Sequence, residues 1–403
     1  MARTGYADLP LHYGRVPQWL AERMSLLGGA VVEAIILEYG KSEVLKRLSD
    51  PLWFQSFGCV LGMDWHSSGI TTSVMGALKK AVNPRAKDLG IYICGGRGKH
   101  SRQTPNELLA VASKTGLDGE LLVRSSKLAA KVDNTSIQDG FQLYLHNFIV
   151  TNEGEWSIVQ QGLNDSSGMA RRYHWHSTQF QSYLNSPHVG VTGENQGLIL
   201  NLAHQEASTT RDAIVKLGEE NPDKMISEIR KIVLPRHHEV MASDVNMKRL
   251  GAILTLAHER HLTDFESMLM LEGVGPRAIQ SLTLVSEVIY GSPTRFNDPA
   301  RFSFAHGGKD GHPFPVPLKV YDETINVLKT SIEKAKIGNS EKQKAIKDLS
   351  TMAMRLEKNF QPKPFLDDII QREREESHKH GGMTVFGKAQ PPKKDKPQQL
   401  NLF

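Results

Sequence analysis

Residues 141–151 read FQLYLHNFIVT and residues 156–164 read WSIVQQGLN, with NEGE (152–155) between them. Aromatic and β-branched residues crowd both runs, and a short polar break containing Gly separates them. Two antiparallel strands joined by a tight turn are therefore expected. Working upstream, FGCVLGMD (57–64) reads as a short buried strand and SSGITTSVMGALKKAV (67–82) as a helix. LGIYICGG (89–96) reads as another strand, and TPNELLAVASKTG (104–116) as another helix with Thr104 as N-cap and Pro105 at its first position. Residues 16–48 form a further helical stretch. This alternation predicts an α/β N-terminal domain over residues 1–200, with an antiparallel element at one side.

Downstream the pattern changes. Residues 166–200, including SSGMARRYHWHSTQFQSY, read as a polar connector rich in His and Arg. Residues 201–375 are expected to be an all-α domain, ending in two helices near 318–337 and 340–359 with Gly338 and Ser340 at their junction. From about 376 the chain is rich in Gly, Pro, Lys and Gln, which predicts a disordered tail.

The 403 residues leave room for two or three domains, and a net charge of +5 is compatible with a nucleic-acid partner without requiring one. Cys59 and Cys94 lie in apolar runs and are expected to be buried thiols. No uninterrupted apolar run approaches the ~18 residues of a membrane span, and residues 1–17 lack the apolar core of a signal peptide. A cytoplasmic, nucleoid-associated protein with no membrane partner is expected.

The segment 263–291, TDFESMLMLEGVGPRAIQSLTLVSEVIYG, carries the clearest functional signal. Thr263 and Glu266 suggest a capping box, Gly273-Val274-Gly275 breaks the helix, and Pro276 suits the first position of the next. Ala278, Ile279, Leu282, Val285, Val288 and Ile289 would give that second helix one buried face. The order resembles the helix-hairpin-helix DNA-binding motif. Its glycines let backbone N–H groups at a helix N-terminus approach a phosphate, with Arg277 adding positive charge. Contacts of this type read the backbone and not base sequence. The same motif occurs in DNA glycosylases, whose lyase members carry a lysine nucleophile where Arg277 stands. Arginine is a poor amine nucleophile, and Asp298 is the available aspartate.

The final residues, Gln399-Leu400-Asn401-Leu402-Phe403, resemble the bacterial sliding-clamp-binding pentapeptide. Gln399, Leu400, Leu402 and Phe403 would fill a groove on the clamp while the upstream tail acts as a leash. DNA and a polymerase sliding clamp are the implied partners.

Candidate chemistry is more scattered. His146, Lys127 and Asn164 could form part of a site similar to the phospholipase D half-domain, in which a histidine is the nucleophile and no metal is needed. Phe148 stands where that family has lysine, Glu153 where it has aspartate, and Gln160-Gln161 where it has Gly-Ser. Asp64 and His66 would follow the first strand, at an edge where α/β sites often lie, and could bind a divalent metal. The loop GGRGKHSRQTP (95–105) follows the next strand, and Arg97, Lys99 and Arg102 could hold phosphate there; Lys131, Asp133, Arg171, Arg172, Tyr173 and His174 could join them. His237-His238-Glu239, His258 with His261 at i and i+3, and the Gly-rich loop carrying His306, Lys309, Asp310 and His312 offer looser alternatives.

Seven blocks, ARTGYADLPLH, DWHSSG, GGRGKHSRQTP, QDGFQLYLHNF, IVQQG, ARRYHW and FAHGGKDGHPFPV, together resemble a prokaryotic family known as domain of unknown function 763. The resemblance runs from residue 2 to about 360 and implies no reaction. A DNA-repair or replication-associated nuclease is the leading expectation; a glycosylase or lyase, and a non-catalytic DNA-binding adaptor, are the alternatives.

Overall fold

The computed structural model describes residues 16–63, 67–231, 247–300, 318–358, 375, 383–384 and 387–388. Three helices, α1 (Gln18–Tyr39), α2 (Lys41–Ser49) and α3 (Pro51–Val60), are followed by α4 (Gly69–Val82) and the short α5 (Ala86–Leu89). Strand β1 (Ile91–Arg97) leads to α6 (Thr104–Thr115) and α7 (Gly119–Lys131). A π-helical turn, Val132–Ser136, then enters β2 (Ile137–Gln138). Strands β3 (Gln142–Thr151), β4 (Trp156–Asn164), β5 (Met169–His176), β6 (Gly190–Thr192) and β7 (Leu198–Asn201) follow. The remainder comprises α8 (Ser208–Glu219), α9 (Pro222–Lys231), α10 (Met247–Glu259), α11 (Phe265–Met270), α12 (Pro276–Tyr290), β8 (Arg295–Asn297), α13 (Leu318–Lys334) and α14 (Asn339–Lys358). In the tail, β9 (Met383–Thr384) pairs with β10 (Gly387–Lys388).

The main sheet is antiparallel throughout, in the order β1-β3-β4-β5-β6, and β2, β7 and β8 make a smaller antiparallel sheet. Successive side chains of a strand point to opposite faces, and here both faces are buried. One face carries Cys94, Phe148, Val150, Trp156, Ile158 and Trp175, which join α6, α7 and α8–α12 in one core. The opposite face carries Ile91, Ile93, Ile149 and Val159, packed against α1–α4 and also against Leu328, Ile332, Ala345 and Leu349 of α13 and α14. The fold is a helix-sheet-helix sandwich. The boundary expected near residue 200 does not coincide with a break in either core, because α8–α12 continue one layer and α13–α14 the other.

Several sequence-based expectations need correction. FGCVLGMD is not a strand: residues 57–60 end α3, which is buried at every position. Asp50 starts that helix by accepting from the Trp53 N–H at 2.8 Å, with Pro51 in the first turn. A short helix that is apolar on all sides has no amphipathic period to distinguish it from a buried strand. The expected polar connector is β5, the fourth strand of the five-stranded sheet. Gln103, not Thr104, occupies the cap of α6, and Asp264, not Thr263, caps α11 by accepting from Ser267 N–H at 2.8 Å. Val288 and Ile289 of α12 are 37% and 36% exposed, so its buried run stops at Ser286 and its apolar part at Val285.

Candidate nucleic-acid interface

The segment joining α11 to α12 is built as a tight elbow. Gly273 has φ +84°, a backbone region that favours glycine, and Gly275 is extended at φ −144°, directly before Pro276. Val274 is 3% exposed and anchors the turn in the core, whereas Gly273 and Arg277 are exposed. The hairpin carbonyls are occupied by cations from neighbouring helices. Arg249 of α10 donates to Gly273 O from Nη2 at 2.8 Å and from Nε at 3.2 Å, and Lys131 of α7 donates to Val274 O. Burial lowers the pKa of Lys131. The N–H groups of Gly275 and Arg277 meet no acceptor among the described residues, as expected at the start of a helix that has no side-chain cap. A Cβ built on Gly275 meets no heavy atom within 4 Å, so open space lies in front of the elbow.

Positive charge continues along α7, where Arg124 and the exposed Lys127 precede Lys131. Arg124 neutralises Glu266 of α11 at 2.7 Å. Lys131 and Arg249 were not singled out as hairpin cations from sequence. Their contacts with the elbow span 143 and 24 residues, and no local spacing announces them.

The loop after β1 is also basic and exposed. Arg97 at the end of β1 and Lys99, His100 and Arg102 on the 3₁₀ turn Gly98–Gln103 all face solvent. Gly95 makes this turn possible: its φ is +89°, and a Cβ there would lie 2.2 Å from His146 O. Lys79 and Glu107 brace it, with Glu107 accepting from Gly95 N–H at 2.7 Å and Lys79 donating to Gly95 O at 2.8 Å.

The residues expected to carry catalysis do not assemble. His146 is 6% exposed. Its Nδ1 lies 2.8 Å from Gln160 Oε1, an acceptor, so Nδ1 carries the proton and Nε2 receives the Ser126 hydroxyl at 2.8 Å. Burial lowers the His146 pKa, which keeps the ring neutral. Gln160 continues to Asp133, which also accepts from Trp175 Nε1 at 2.9 Å and contacts His188. This buried chain ties α7 and the π-turn to the sheet. Lys127 is on the exposed side of α7. Asn164 lies four residues beyond Gln160 along β4, roughly 13 Å away at the usual strand rise, and its Oδ1 accepts from Ser166 and Ser167 N–H. The phospholipase D-like grouping is corrected accordingly: the strand before α4 is a helix, and His146, Lys127 and Asn164 point to three different places.

Arg171 and Arg172 are also corrected. Both are fully buried on β5, so neither guanidinium meets an external phosphate in this structure. Being adjacent on a strand, they face opposite layers. Arg171 donates from Nη1 to Asp139 at 2.8 Å and to Asp298 at 2.9 Å, and from Nη2 to Asp298 at 2.9 Å, while its head stacks over Phe141. Burial alone would lower its pKa, but Asp139 and Asp298 outweigh burial and raise it. Burial raises the Asp139 pKa against the pull of Arg171. Asp298, the aspartate considered for glycosylase chemistry, is committed to this ion pair. Arg172 has no carboxylate partner among the described residues. It donates to Thr71 Oγ1 at 2.8 Å and Gln55 Oε1 at 2.9 Å and lies over Phe54, and burial pulls its pKa down to about 9. Tyr173 bonds Asp139 at 2.6 Å, and His174 contacts Leu48 O at 3.1 Å.

Asp64, His66, the His237 and His306 groups, and the pentapeptide Gln399, Leu400, Leu402 and Phe403 lie outside the described residues. Among the described residues, no group of three or more His, Cys, Asp or Glu is arranged to hold a metal. Cys59 and Cys94 are buried and form no disulfide with each other, as expected. No helix among the described residues is long and apolar enough to cross a membrane.

A family model described as "Protein of unknown function (DUF763)" matches residues 5–316. No curated protein and no solved structure matches the chain.

Proposed function

The chain belongs to the DUF763 family, and from its own geometry we propose that it is a DNA-binding protein of repair or replication that grips the sugar-phosphate backbone at the α11–α12 elbow. The observation that carries this reading is the elbow itself. The N–H groups of Gly275 and Arg277 have no acceptor among the described residues at the N-terminus of a 15-residue helix, the exposed Arg277 lies in its first turn, and Arg249 and Lys131 hold the carbonyls of the same hairpin. Helix dipole, free amides and three cations together favour an anion at that point. The exposed Arg97, Lys99 and Arg102 loop supplies a second basic surface for longer DNA.

Recruitment to a sliding clamp through Gln399–Phe403 belongs to the same proposal and rests on the sequence alone. Backbone cleavage is assigned to Asp64 and His66 on the sequence alone, as His146, Lys127 and Asn164 are dispersed and Arg171, Arg172 and Asp298 are committed to buried contacts.

The test is fluorescence anisotropy with a labelled duplex over a salt series. Wild type is expected to bind with affinity that falls steeply with salt. Gly275→Val adds bulk where the structure leaves space and should weaken binding by roughly 10- to 100-fold, the value of one or two charge-assisted hydrogen bonds, without altering the urea midpoint. A Gly275→Val protein of unchanged DNA affinity would falsify the elbow assignment. Incubating the same duplexes with Mg²⁺, Mn²⁺ or EDTA reads cleavage directly. Deleting residues 399–403 should remove clamp binding and leave DNA affinity intact.

A further inference from the structure

Beside the elbow, α12 and the β2-β7-β8 sheet enclose a cleft of about 370 Å³, at the small end of the 300–1,000 Å³ range of ligand sites. We propose that this cleft receives a single nucleobase turned out of the DNA held at the elbow; the inference rests on the backbone-binding reading above and names what the neighbouring site takes.

Four carboxamides, Gln138, Asn164, Gln196 and Gln280, line it, with Leu198 and Leu284 supplying apolar wall. Several of their polar atoms are uncommitted. Gln280 makes no hydrogen bond to any described residue. The Asn164 oxygen is used by the Ser166 and Ser167 amides, which leaves its NH₂ group free. The Thr283 hydroxyl is buried, 1% exposed, and has no partner, although Thr283 lines the cleft. A buried hydroxyl without a partner costs free energy unless a ligand or water supplies the bond.

Charge selects the ligand class. Asp139 and Glu287 are both in the lining, and Arg295 directs Nη1 to Leu198 O at 3.4 Å. Asp139 is neutralised by Arg171, so Glu287 and Arg295 are the remaining charges of the lining and leave no net positive charge for a phosphate or carboxylate ligand. Carboxamides and a hydroxyl, which both donate and accept, match the edge of a neutral heterocycle. A nucleobase is such a group, and enzymes that inspect bases rotate them out of the stack into pockets of this kind.

Position agrees with chemistry. At 100° per residue, Arg277, Gln280, Leu284 and Glu287 fall on one stripe of α12. The exposed Arg277 therefore stands at the head of the stripe whose next residues line the cleft. Gln280 is one turn from Pro276, about 6 Å along the axis. Gln138 joins the two features, since its Nε2 donates to Pro276 O at 2.9 Å.

The experiment uses full-length protein and two duplexes of equal length containing 2-aminopurine, one matched and one with the analogue as an unpaired bulge. Wild type should bind the bulged duplex at least about tenfold more tightly, with 2-aminopurine fluorescence rising as the base leaves the stack. A Gln280→Leu, Thr283→Val double variant should lose that preference while keeping matched-duplex affinity and its urea midpoint. Gln280→Trp, which fills the cleft from its half-buried rim, provides a second variant with the same expected loss. Equal affinity of wild type for both duplexes without a fluorescence change overturns the cleft assignment and leaves the elbow standing. Failure to bind either duplex overturns the backbone-binding reading first.

Discussion

Replacing Arg171 and Arg172 one at a time by Met should give opposite results, although the two are neighbours on one strand and both are fully buried. Arg171 sits between two carboxylates, Asp139 and Asp298, at 2.8–2.9 Å. Removing it leaves both acids buried without a counter-charge, which typically costs 3–5 kcal/mol, about the value of breaking a buried ion pair. Among the described residues, Arg172 has only neutral acceptors. Its fall from the ordinary arginine value to about 9 corresponds to a penalty of roughly 5 kcal/mol on the folded state at neutral pH, at about 1.36 kcal/mol per pKa unit. Arg172→Met removes that penalty and deprives Thr71 and Gln55 of one donor each, a loss of about 1–3 kcal/mol per group. Thr71 keeps its bond to Gln161. The net expectation is a protein unchanged or stabilised by roughly 1–3 kcal/mol, since a well-packed apolar replacement of a buried charge is often favourable.

Urea unfolding followed by tryptophan fluorescence measures both, with Trp53, Trp156 and Trp175 buried in the two layers. The pH dependence adds a check of sign. In Arg171→Met, burial holds the Asp139 pKa above that of the unfolded chain without the opposing pull of Arg171, so the folded state binds more protons and stability recovers as pH falls from 7. If Arg172→Met proved the more destabilised variant, or if Arg171→Met gained nothing from acidification, the burial argument would be wrong.

Other consequences follow from the same structure. His146, His174 and His176 have pKa values lowered by burial. The unfolded chain therefore binds more protons below its ordinary histidine value of about 6.5. The urea midpoint should fall between pH 7 and pH 5, and His174→Phe should flatten that slope; an unchanged slope in the variant would remove His174 from the account. Gly95→Ala forces a Cβ to 2.2 Å from a backbone oxygen at φ +89°, whereas Gly98→Ala meets nothing within 4 Å at φ +59°. The second should cost about 1–2 kcal/mol, the left-handed penalty alone, and the first several times more by urea titration. Arg249→Ala and Arg277→Ala should each lower the slope of log affinity against log salt by about one, as one phosphate contact is lost. A slope equal to wild type in both would place DNA elsewhere.

What the sequence revealed and what it hid divide along physical lines. Strands β3 and β4, helices α4 and α6, and the elbow before α12 were legible because each is written locally, in turn residues and in periodicity. The identity of β5 was not. Its run MARRYHWH looks like surface, since a lone chain gives no sign that Arg171 will meet Asp139 at 32 residues' distance and Asp298 at 127. Burying such a strand is tolerable on one face only through those two carboxylates, and no local rule anticipates them. The same reasoning explains the candidate site. The elbow could be read because its shape lies in backbone geometry set by Gly273, Gly275 and Pro276. The cleft beside it could not, for its lining comes from β2, β4, β7, β8 and α12, brought together only when β2, β7 and β8 pair and α12 closes one wall. Asn164 shows how the two kinds of information interact. Chosen from sequence as a partner for His146, it stands roughly 13 Å away along the strand, yet its free amide faces a polar cleft that the strand pattern alone could not have revealed.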